Sequence, residues 1–143
     1  IIATAVATAL FQAVVRDYRE KRSMYKGFLK EISQNIEFAE YNSKEIGEMP
    51  TGWKNPIETP ILFFCNDFWK MDLSGYLLNL PANIQTLLYE IYMKQYVINQ
   101  MLDRLIKAPS WDNKRAQNTM KEIKELQSKL EQAKQRLEKI LDP

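Results

Sequence analysis

The sequence predicts an all-α fold, an antiparallel bundle of three long helices with one short helix inserted between the first and the central one. Three observations favour this fold. Apolar residues recur at steps of three and four along three long segments, which is the period of a helix with one buried face. Of the 4 glycines and 6 prolines, all except Gly27 lie between those segments or at their ends. A chain of 143 residues is long enough to bury one core.

The central helix is predicted over 81–107, and its apolar seam organises the other elements. Pro81 suits a first helical position, and Pro109 should end the helix. Gln95 is the polar member of the seam; we interpret it as an edge residue in contact with water, or as a register-fixing residue with a buried polar partner. The tyrosines of this helix are interpreted as core or rim residues: Tyr89, Tyr92 and Tyr96. The seam positions are Ile84, Leu88, Ile91, Gln95, Ile98, Leu102 and Leu105.

Residues 1–15, IIATAVATALFQAVV, carry no charge and are followed at once by RDYREKR. A membrane-spanning helix needs about 20 apolar residues, so this segment is interpreted as the inner end of a span. The cations of the junction would then contact acidic lipid and hold the following domain in the cytoplasm. The alternatives are a buried helix of a soluble cytoplasmic bundle and a secretory signal. The junction cations are Arg16, Arg19, Lys21 and Arg22.

The predicted domain division is therefore an apolar segment at 1–15 and a single helical bundle at 16–143, with the first helix continuing to about Ala39. Asn35 lies between apolar neighbours, where a buried interhelical hydrogen bond is expected. Residues 42–59 are punctuated by glycine and proline and predict a long loop. Trp53 in this loop is a candidate anchor for a partner, or a cover for one end of the bundle.

Two further helices follow from local signals. Thr59 and Pro60 resemble an N-cap and a first helical residue, so a short apolar helix is predicted over 61–71, ended near Gly75. The last helix is predicted from an N-cap at Ser110 to about Leu141. Its narrow apolar heptad stripe with charged flanks is typical of a coiled coil, closing the bundle in cis or pairing with a second chain. The candidate self-association residues are Ile123, Leu126, Leu130, Leu137 and Ile140.

Composition narrows the function classes. The chain has no histidine and a single cysteine, Cys65, which excludes histidine-based catalysis and metal binding, internal disulfides and cysteine metal clusters. We find no catalytic constellation and predict no enzyme activity, cofactor or metal. The leading hypothesis is a membrane-tethered interaction or scaffold domain, whose partner is a second copy or an unknown protein.

The alternative hypothesis is a soluble helical module that binds nucleic acid or a protein through its basic helix faces. The cations of the last helix and the 16–22 cluster would form this surface. A net charge of +2 is too small to indicate nucleic-acid binding by itself. The last-helix cations concerned are Lys114, Arg115, Lys121 and Lys124.

Several stretches carry a resemblance to known sequences. An apolar N-terminal helix, a basic junction and LKEISQNIEFAE precede a tryptophan and LSGYLLNLPANIQTLLYEIYMKQYVIN. Over 1–106 the chain resembles uncharacterised prokaryotic proteins with one membrane span and a small helical cytoplasmic domain. Because those proteins have no assigned activity, the resemblance implies a topology and no catalytic residues.

Overall fold

The computed structural model describes residues 2–49, 61–71 and 80–143 of the chain. These residues form three long helices and one short one: α1 (Ile2–Glu48), α2 (Asp67–Met71), α3 (Ala82–Lys107) and α4 (Asn113–Leu141). The predicted all-α bundle of three long helices is confirmed in this part of the chain, because α4 packs against both α1 and α3.

Paired side chains give the helix directions. On α3, Lys94 pairs with Glu122 of α4 at 2.6 Å, whereas Glu90 pairs with Lys129 at 3.0 Å. From the first pair to the second, the residue number decreases on α3 and increases on α4, so these two helices are antiparallel. The contacts between α1 and α4 run the same way: the Arg22 guanidinium donates to the Leu141 carbonyl, and Gln127 donates to the Glu40 carboxylate. Helices α1 and α3 consequently run in parallel, both opposed to α4.

The core lies between the inner faces of the three long helices. Phe28, Ile32 and Ala39 of α1 meet the seams of α3 and α4 there. Fully buried side chains of this size contribute about 1.5–3 kcal/mol each through the hydrophobic effect, so these seams hold the bundle together. The fully buried apolar residues of α3 and α4 are Leu88, Ile91, Ile98, Leu102, Ile123, Leu126, Leu130, Ala133 and Leu137.

Helix α1 extends beyond its predicted end. The loop predicted at 42–59 is wrong at its start, because residues 42–48 are helical. Asn42 and Ile46 continue the buried face of the helix at the correct spacing, and this burial outweighs the weak helix propensity of the polar residues around them. Trp53 and the remainder of the predicted loop lie outside the described residues.

The start of α4 also differs from the prediction. Its N-cap is Asp112 and not Ser110, because the Asp112 carboxylate accepts hydrogen bonds from the backbone N–H groups of Lys114 and Arg115 at 3.0 and 3.2 Å. An aspartate in this position satisfies donors that the first turn leaves free. The helix consequently begins at Asn113, after Trp111, whose side chain is buried at this end of the bundle.

The short apolar helix predicted over 61–71 is wrong for its first half. Residues 61–66 are not helical, and regular helix is confined to the five residues of α2. The run ILFFCN is apolar enough to be a buried helix or a buried extended chain, and periodicity cannot separate the two over so short a length. The non-helical conformation is stabilised by hydrogen bonds between the backbone of this run and side chains of α1 and α3.

Candidate interaction sites

The first part of α1 projects beyond the other helices. The hydrogen bond from Arg22 Nη1 to the Leu141 carbonyl, 2.7 Å long, marks the level at which α4 ends. Residues 2–20, here called the N-terminal arm, are exposed except for the half-buried Val15. At 1.5 Å per residue the arm extends about 30 Å past the bundle.

The surface of residues 2–15 of the arm is largely apolar. Apart from Val15, the large apolar side chains of the arm are 53–82% exposed, and residues 2–15 include no charged residue. A contiguous apolar surface of this kind is typical of an interaction site with protein or membrane. None of the helices in the described part of the chain combines the length and the apolarity that crossing a membrane requires. The exposed residues are Ile2, Val6, Leu10, Phe11, Val14 and Tyr18.

The four cations predicted to contact acidic lipid lie at the base of the arm. Arg16 and Arg19 are exposed. Lys21 pairs with Asp17 at 3.1 Å on the same helix, and Arg22 is held by the end of α4. Two of the four guanidinium and ammonium groups, those of Arg16 and Arg19, are thus directed to solvent beside the apolar surface.

The residues predicted for self-association lie in the core of the same chain. Leu126 and Leu130 are fully buried, as are Ile123 and Leu137, while Ile140 is partly buried against the core. The heptad stripe of α4 therefore closes the bundle in cis, and the assignment of these five side chains to a surface that meets a second copy is corrected. The reason is geometric, since α4 lies between α1 and α3 and contacts both.

The two basic clusters predicted for nucleic acid lie at opposite ends of the bundle. Arg22 lies level with Leu141, whereas the terminal methyl of Met120 is next to Gly47, at the far end of α1. About 20 helical residues separate these levels, which is about 30 Å. Arg115 is also paired with the Asp112 carboxylate at 3.5 Å. Lys114, Lys121 and Lys124 are exposed, but they do not form one continuous surface with the 16–22 cluster.

A second feature, which the sequence patterns did not reveal, surrounds residues 61–66. Three asparagines, here called the asparagine clamp, hold the backbone of this segment from two helices. Asn42 Nδ2 donates to the Leu62 carbonyl at 2.6 Å, and the Leu62 N–H donates to Asn42 Oδ1 at 2.9 Å. Asn35, also on α1, makes the same two bonds with Cys65, both 2.8 Å long.

The third member of the clamp comes from the opposite wall. The Phe64 N–H donates to Asn99 Oδ1 at 2.8 Å, and Asn99 Nδ2 donates to the Phe64 carbonyl at 3.1 Å. Asn99 belongs to α3, so residues 61–66, here called the clamped segment, lie between the two parallel helices. Each amide side chain satisfies one donor and one acceptor of a backbone that has no secondary structure of its own to satisfy them.

The side chains of the clamped segment divide between core and solvent. Ile61 and Phe64 are buried, whereas Leu62 and Phe63 are 39% and 44% exposed. Beyond the segment, the Trp69 ring stacks on Tyr92 with centroids 4.8 Å apart. This aromatic contact fixes the chain where it leaves the groove. The clamped segment itself is held by hydrogen bonds at three backbone positions and by two buried anchor side chains, Ile61 and Phe64.

The sequence contained one usable signal for this site. Asn35 and Asn42 are seven residues apart and therefore lie on one face of a helix. Asn35 was expected to bond to another helix, but its partner is the backbone of Cys65. Asn42 was assigned to a loop, which concealed the spacing.

Buried polar groups occupy the same region. Gln95 is 1% exposed, so the interpretation as an edge residue in contact with water is wrong. Neither polar atom of its amide has a hydrogen-bond partner among the residues that the structure describes. Tyr92 is buried, unlike Tyr89 and Tyr96. Burial first, and then the negative charge of Glu31, raise the pKa of the Tyr92 phenol far above its ordinary value. Tyr92 therefore remains neutral at any physiological pH.

The single thiol of the chain lies in the clamped segment. Burial, followed by the negative charges of Glu31 and Asp67, raises the pKa of Cys65. A raised thiol pKa lowers the thiolate fraction and the reactivity of the group. In the described residues no set of three or more cysteine and carboxylate side chains is arranged to hold a metal ion. The chemistry that the two sites offer is therefore apolar contact at the arm and backbone hydrogen bonding at the clamp.

These features define the class of the protein as a small helical bundle with a projecting apolar arm and a backbone-binding groove. Comparisons of the chain with protein-family models, with curated proteins and with solved structures gave no match.

Proposed function

We propose that the protein is a non-enzymatic interaction domain tethered to a membrane through its N-terminal arm. The observation that carries the proposal is the exposed, uncharged surface of residues 2–15. Exposed apolar surface costs about 25 cal/mol for each Å² in water, so the five large apolar side chains of this stretch that are 53–82% exposed favour a binding partner. The bundle that follows the arm is the part presented to other proteins.

The composition of the arm favours lipid over another helix as its partner. A helix that pairs in water uses a narrow apolar stripe with charged flanks, as α4 does against its neighbours. Residues 2–15 of the arm have no charged flanks, because every side chain there except Thr4, Thr8 and Gln12 is apolar. Ala5, Ala9 and Ala13 also form a small-residue ridge of the kind found in membrane helices.

The position of the cations supports the same partner. Arg16 and Arg19 directly follow the uncharged stretch and are exposed, so they can meet acidic headgroups when residues 2–15 are in the apolar layer. Those residues span about 21 Å, which is less than the roughly 30 Å hydrocarbon core. The basic excess favours a cytoplasmic position for the bundle, which is the topology that the resemblance to prokaryotic single-span proteins implies.

Vesicle binding tests the proposal with two matched variants. Val14→Glu places a charge on the arm, and Val97→Glu places the same charge on an exposed valine of α3; the native side chains are 67% and 50% exposed. We expect the wild-type chain to sediment with phosphatidylcholine–phosphatidylserine vesicles. Val14→Glu should weaken binding more than about tenfold, because a carboxylate is expensive in hydrocarbon, whereas Val97→Glu should bind like the wild type.

Two results would contradict the membrane tether. Equal losses in both variants would show that binding does not depend on the arm. The second result is a wild-type chain that does not bind vesicles and forms dimers, with dimerisation lost only in Val14→Glu. It would identify a second copy as the partner of the arm.

A further inference from the structure

We propose that the groove between α1 and α3 is a binding site for an extended peptide of another protein, and that the clamped segment is its intramolecular occupant. The site lies in the bundle and does not depend on the arm or on a membrane. Its chemistry is that of the asparagine clamp, which recognises a peptide backbone.

Recognition by the clamp does not depend on the side chains of the occupant. Six hydrogen bonds join Asn35, Asn42 and Asn99 to backbone N–H and C=O groups. Every non-proline residue supplies the same two groups. Any extended segment that places three residues correctly can therefore make these bonds, whichever chain it belongs to.

The spacing of the asparagines fits an extended peptide. Asn35 and Asn42 lie about 10.5 Å apart along α1, and their partners Cys65 and Leu62 are three residues apart. Three residues of a polyproline II chain rise about 9.3 Å, and its period of three turns the first and fourth residue to the same side. Phe64, at an intermediate position, is turned to Asn99 on the other wall.

The walls of the groove have support that is independent of the occupant. Helix α4 packs against α1 and against α3, and its ion pairs with Glu90 and Lys94 of α3 do not involve the clamped segment. Removal of the segment exposes the clamp without removing the contacts that hold α1 and α3 in place. The groove is thus a preformed site with a covalently attached ligand.

The buried side chains of the occupant define the ligand that the site takes. Ile61 and Phe64 are anchored in the core, while Leu62 and Phe63 between them are partly exposed. The expected ligand is an extended peptide with a large aliphatic residue and a phenylalanine three positions later, and with little restriction on the two residues between them. Proline is excluded at the positions whose N–H groups the clamp accepts.

The attached occupant competes with any external peptide. A tethered ligand acts at an effective concentration of roughly millimolar or more, so the wild-type chain should bind such a peptide only weakly. A substitution that weakens the occupant without altering the asparagines should strengthen external binding. Leu62→Pro does this, because it removes the N–H that Asn42 accepts.

Phe63→Pro is the matched control for Leu62→Pro. The two side chains are similarly exposed, but the Phe63 N–H contributes no bond to the clamp or to any other described residue. A second variant, Phe64→Ala, weakens the occupant by removing an anchor and retains every backbone bond.

The experiment measures binding of a fluorescent peptide to the full chain by polarisation. The probe has the sequence of residues 61–67 with Cys65→Ser and two terminal lysines for solubility. We expect Leu62→Pro and Phe64→Ala to bind it at least about tenfold more tightly than the wild type and Phe63→Pro. N-methylation of the probe at the residue matching Phe64 should abolish binding, and N-methylation at that matching Phe63 should not.

Three outcomes would overturn the proposal. The first is no binding to either weakened variant while circular dichroism shows that both remain folded. The second is binding that both N-methylated probes share, which indicates apolar adhesion without backbone recognition. The third is a weakened variant that binds no peptide and forms dimers, which assigns the groove to exchange of the segment between copies.

Discussion

Asn42 and Leu62 form a reciprocal pair, in which the side-chain amide donates at 2.6 Å and accepts at 2.9 Å from one backbone residue. Asn42 is fully buried, so loss of its amide leaves a backbone donor and a backbone acceptor without partners. An unsatisfied buried group costs about 1–3 kcal/mol. The pair therefore fixes the partly exposed Leu62 to α1 through a side chain that is itself fully buried.

Asn42→Ala should lower the free energy of unfolding by about 2–3 kcal/mol, because both hydrogen bonds to Leu62 are lost. Urea denaturation measures the change. Asn118→Ala is the control, since Asn118 is exposed on α4 and its replacement should change stability by less than about 0.5 kcal/mol. Equal effects of the two substitutions would show that the clamp does not contribute to stability.

Gln95→Met should raise the free energy of unfolding by about 1–2 kcal/mol. Both polar amide atoms of Gln95 are buried, with no hydrogen-bond partner in the described part of the chain, and methionine has a similar volume without the cost of desolvating an amide. Thermal and urea denaturation provide the measurement. Gln100 is exposed on the same helix, so Gln100→Met should be nearly neutral. Destabilisation by Gln95→Met would indicate that the amide has a bound partner such as water.

Cys65 reports whether the clamped segment leaves the groove. Burial raises the pKa of its thiol, so a disulfide reagent at pH 8 should react with the native protein more slowly than with the urea-unfolded chain. Leu62→Pro should accelerate labelling at least about tenfold, because opening of the segment becomes easier. Phe63→Pro should label at the wild-type rate, and equal acceleration in both variants would contradict the assigned hydrogen bonds.

The ion pairs of Lys94 predict a dependence of stability on pH. The hydrogen bond that Lys94 donates, and then the positive charge of Lys94, lower the pKa of the Glu125 carboxyl below its ordinary value of 4.5 in the folded state. A carboxyl whose pKa is lower in the folded state than in the unfolded state stabilises the protein at pH values above its unfolded pKa. This contribution is lost as the pH falls through the folded pKa. The stability difference between wild type and Glu125→Gln should therefore be constant from pH 6 to 8 and disappear as pH falls below about 4.5.

Lys94→Met supplies the control for this pH dependence. Burial lowers the pKa of Lys94, but the hydrogen bonds and charges of Glu122 and Glu125 outweigh burial and raise it overall. Without the ammonium group, Glu125→Gln should have the same small effect at every pH. A pH-dependent difference that persists in the Lys94→Met background would assign it to another residue.

Truncation of apolar side chains should separate the arm from the core. Leu130→Ala should cost about 2–5 kcal/mol, because Leu130 is fully buried and its loss leaves a cavity. Leu10→Ala should change the free energy of unfolding by less than about 0.5 kcal/mol, since Leu10 is 63% exposed on the arm. A large cost at Leu10 in the isolated chain would mean that the arm packs against another surface.

The sequence predicted the parts of the fold that periodicity controls. The seams of α3 and α4 have long, regular apolar spacing, so burial of Leu88, Ile98, Leu126 and Leu130 followed directly. The end of α1 was missed because the polar residues around Asn42 resemble a loop. Their helical state depends on tertiary burial, which short-range propensity does not contain.

The two candidate sites, the arm and the asparagine clamp, also differed in how far the sequence predicted them. The exposed arm was visible as an uncharged run of 15 residues, although the sequence could not show that the rest of the bundle leaves it uncovered. The asparagine clamp was not predicted, because its partners are backbone groups that every residue has. Only the three-dimensional meeting of α1, α3 and residues 61–66 reveals which asparagines bind them.

Helix α1 also has a mechanical consequence. Its 47 residues contain no proline and measure about 70 Å, so the arm and one wall of the bundle form a single stiff rod. A force or a tilt applied to the arm is transmitted to the groove without an intervening hinge. A rotation of only about 10° at the arm displaces the far end of α1 by about 12 Å, and the attachment of the arm thereby sets the direction in which the groove faces.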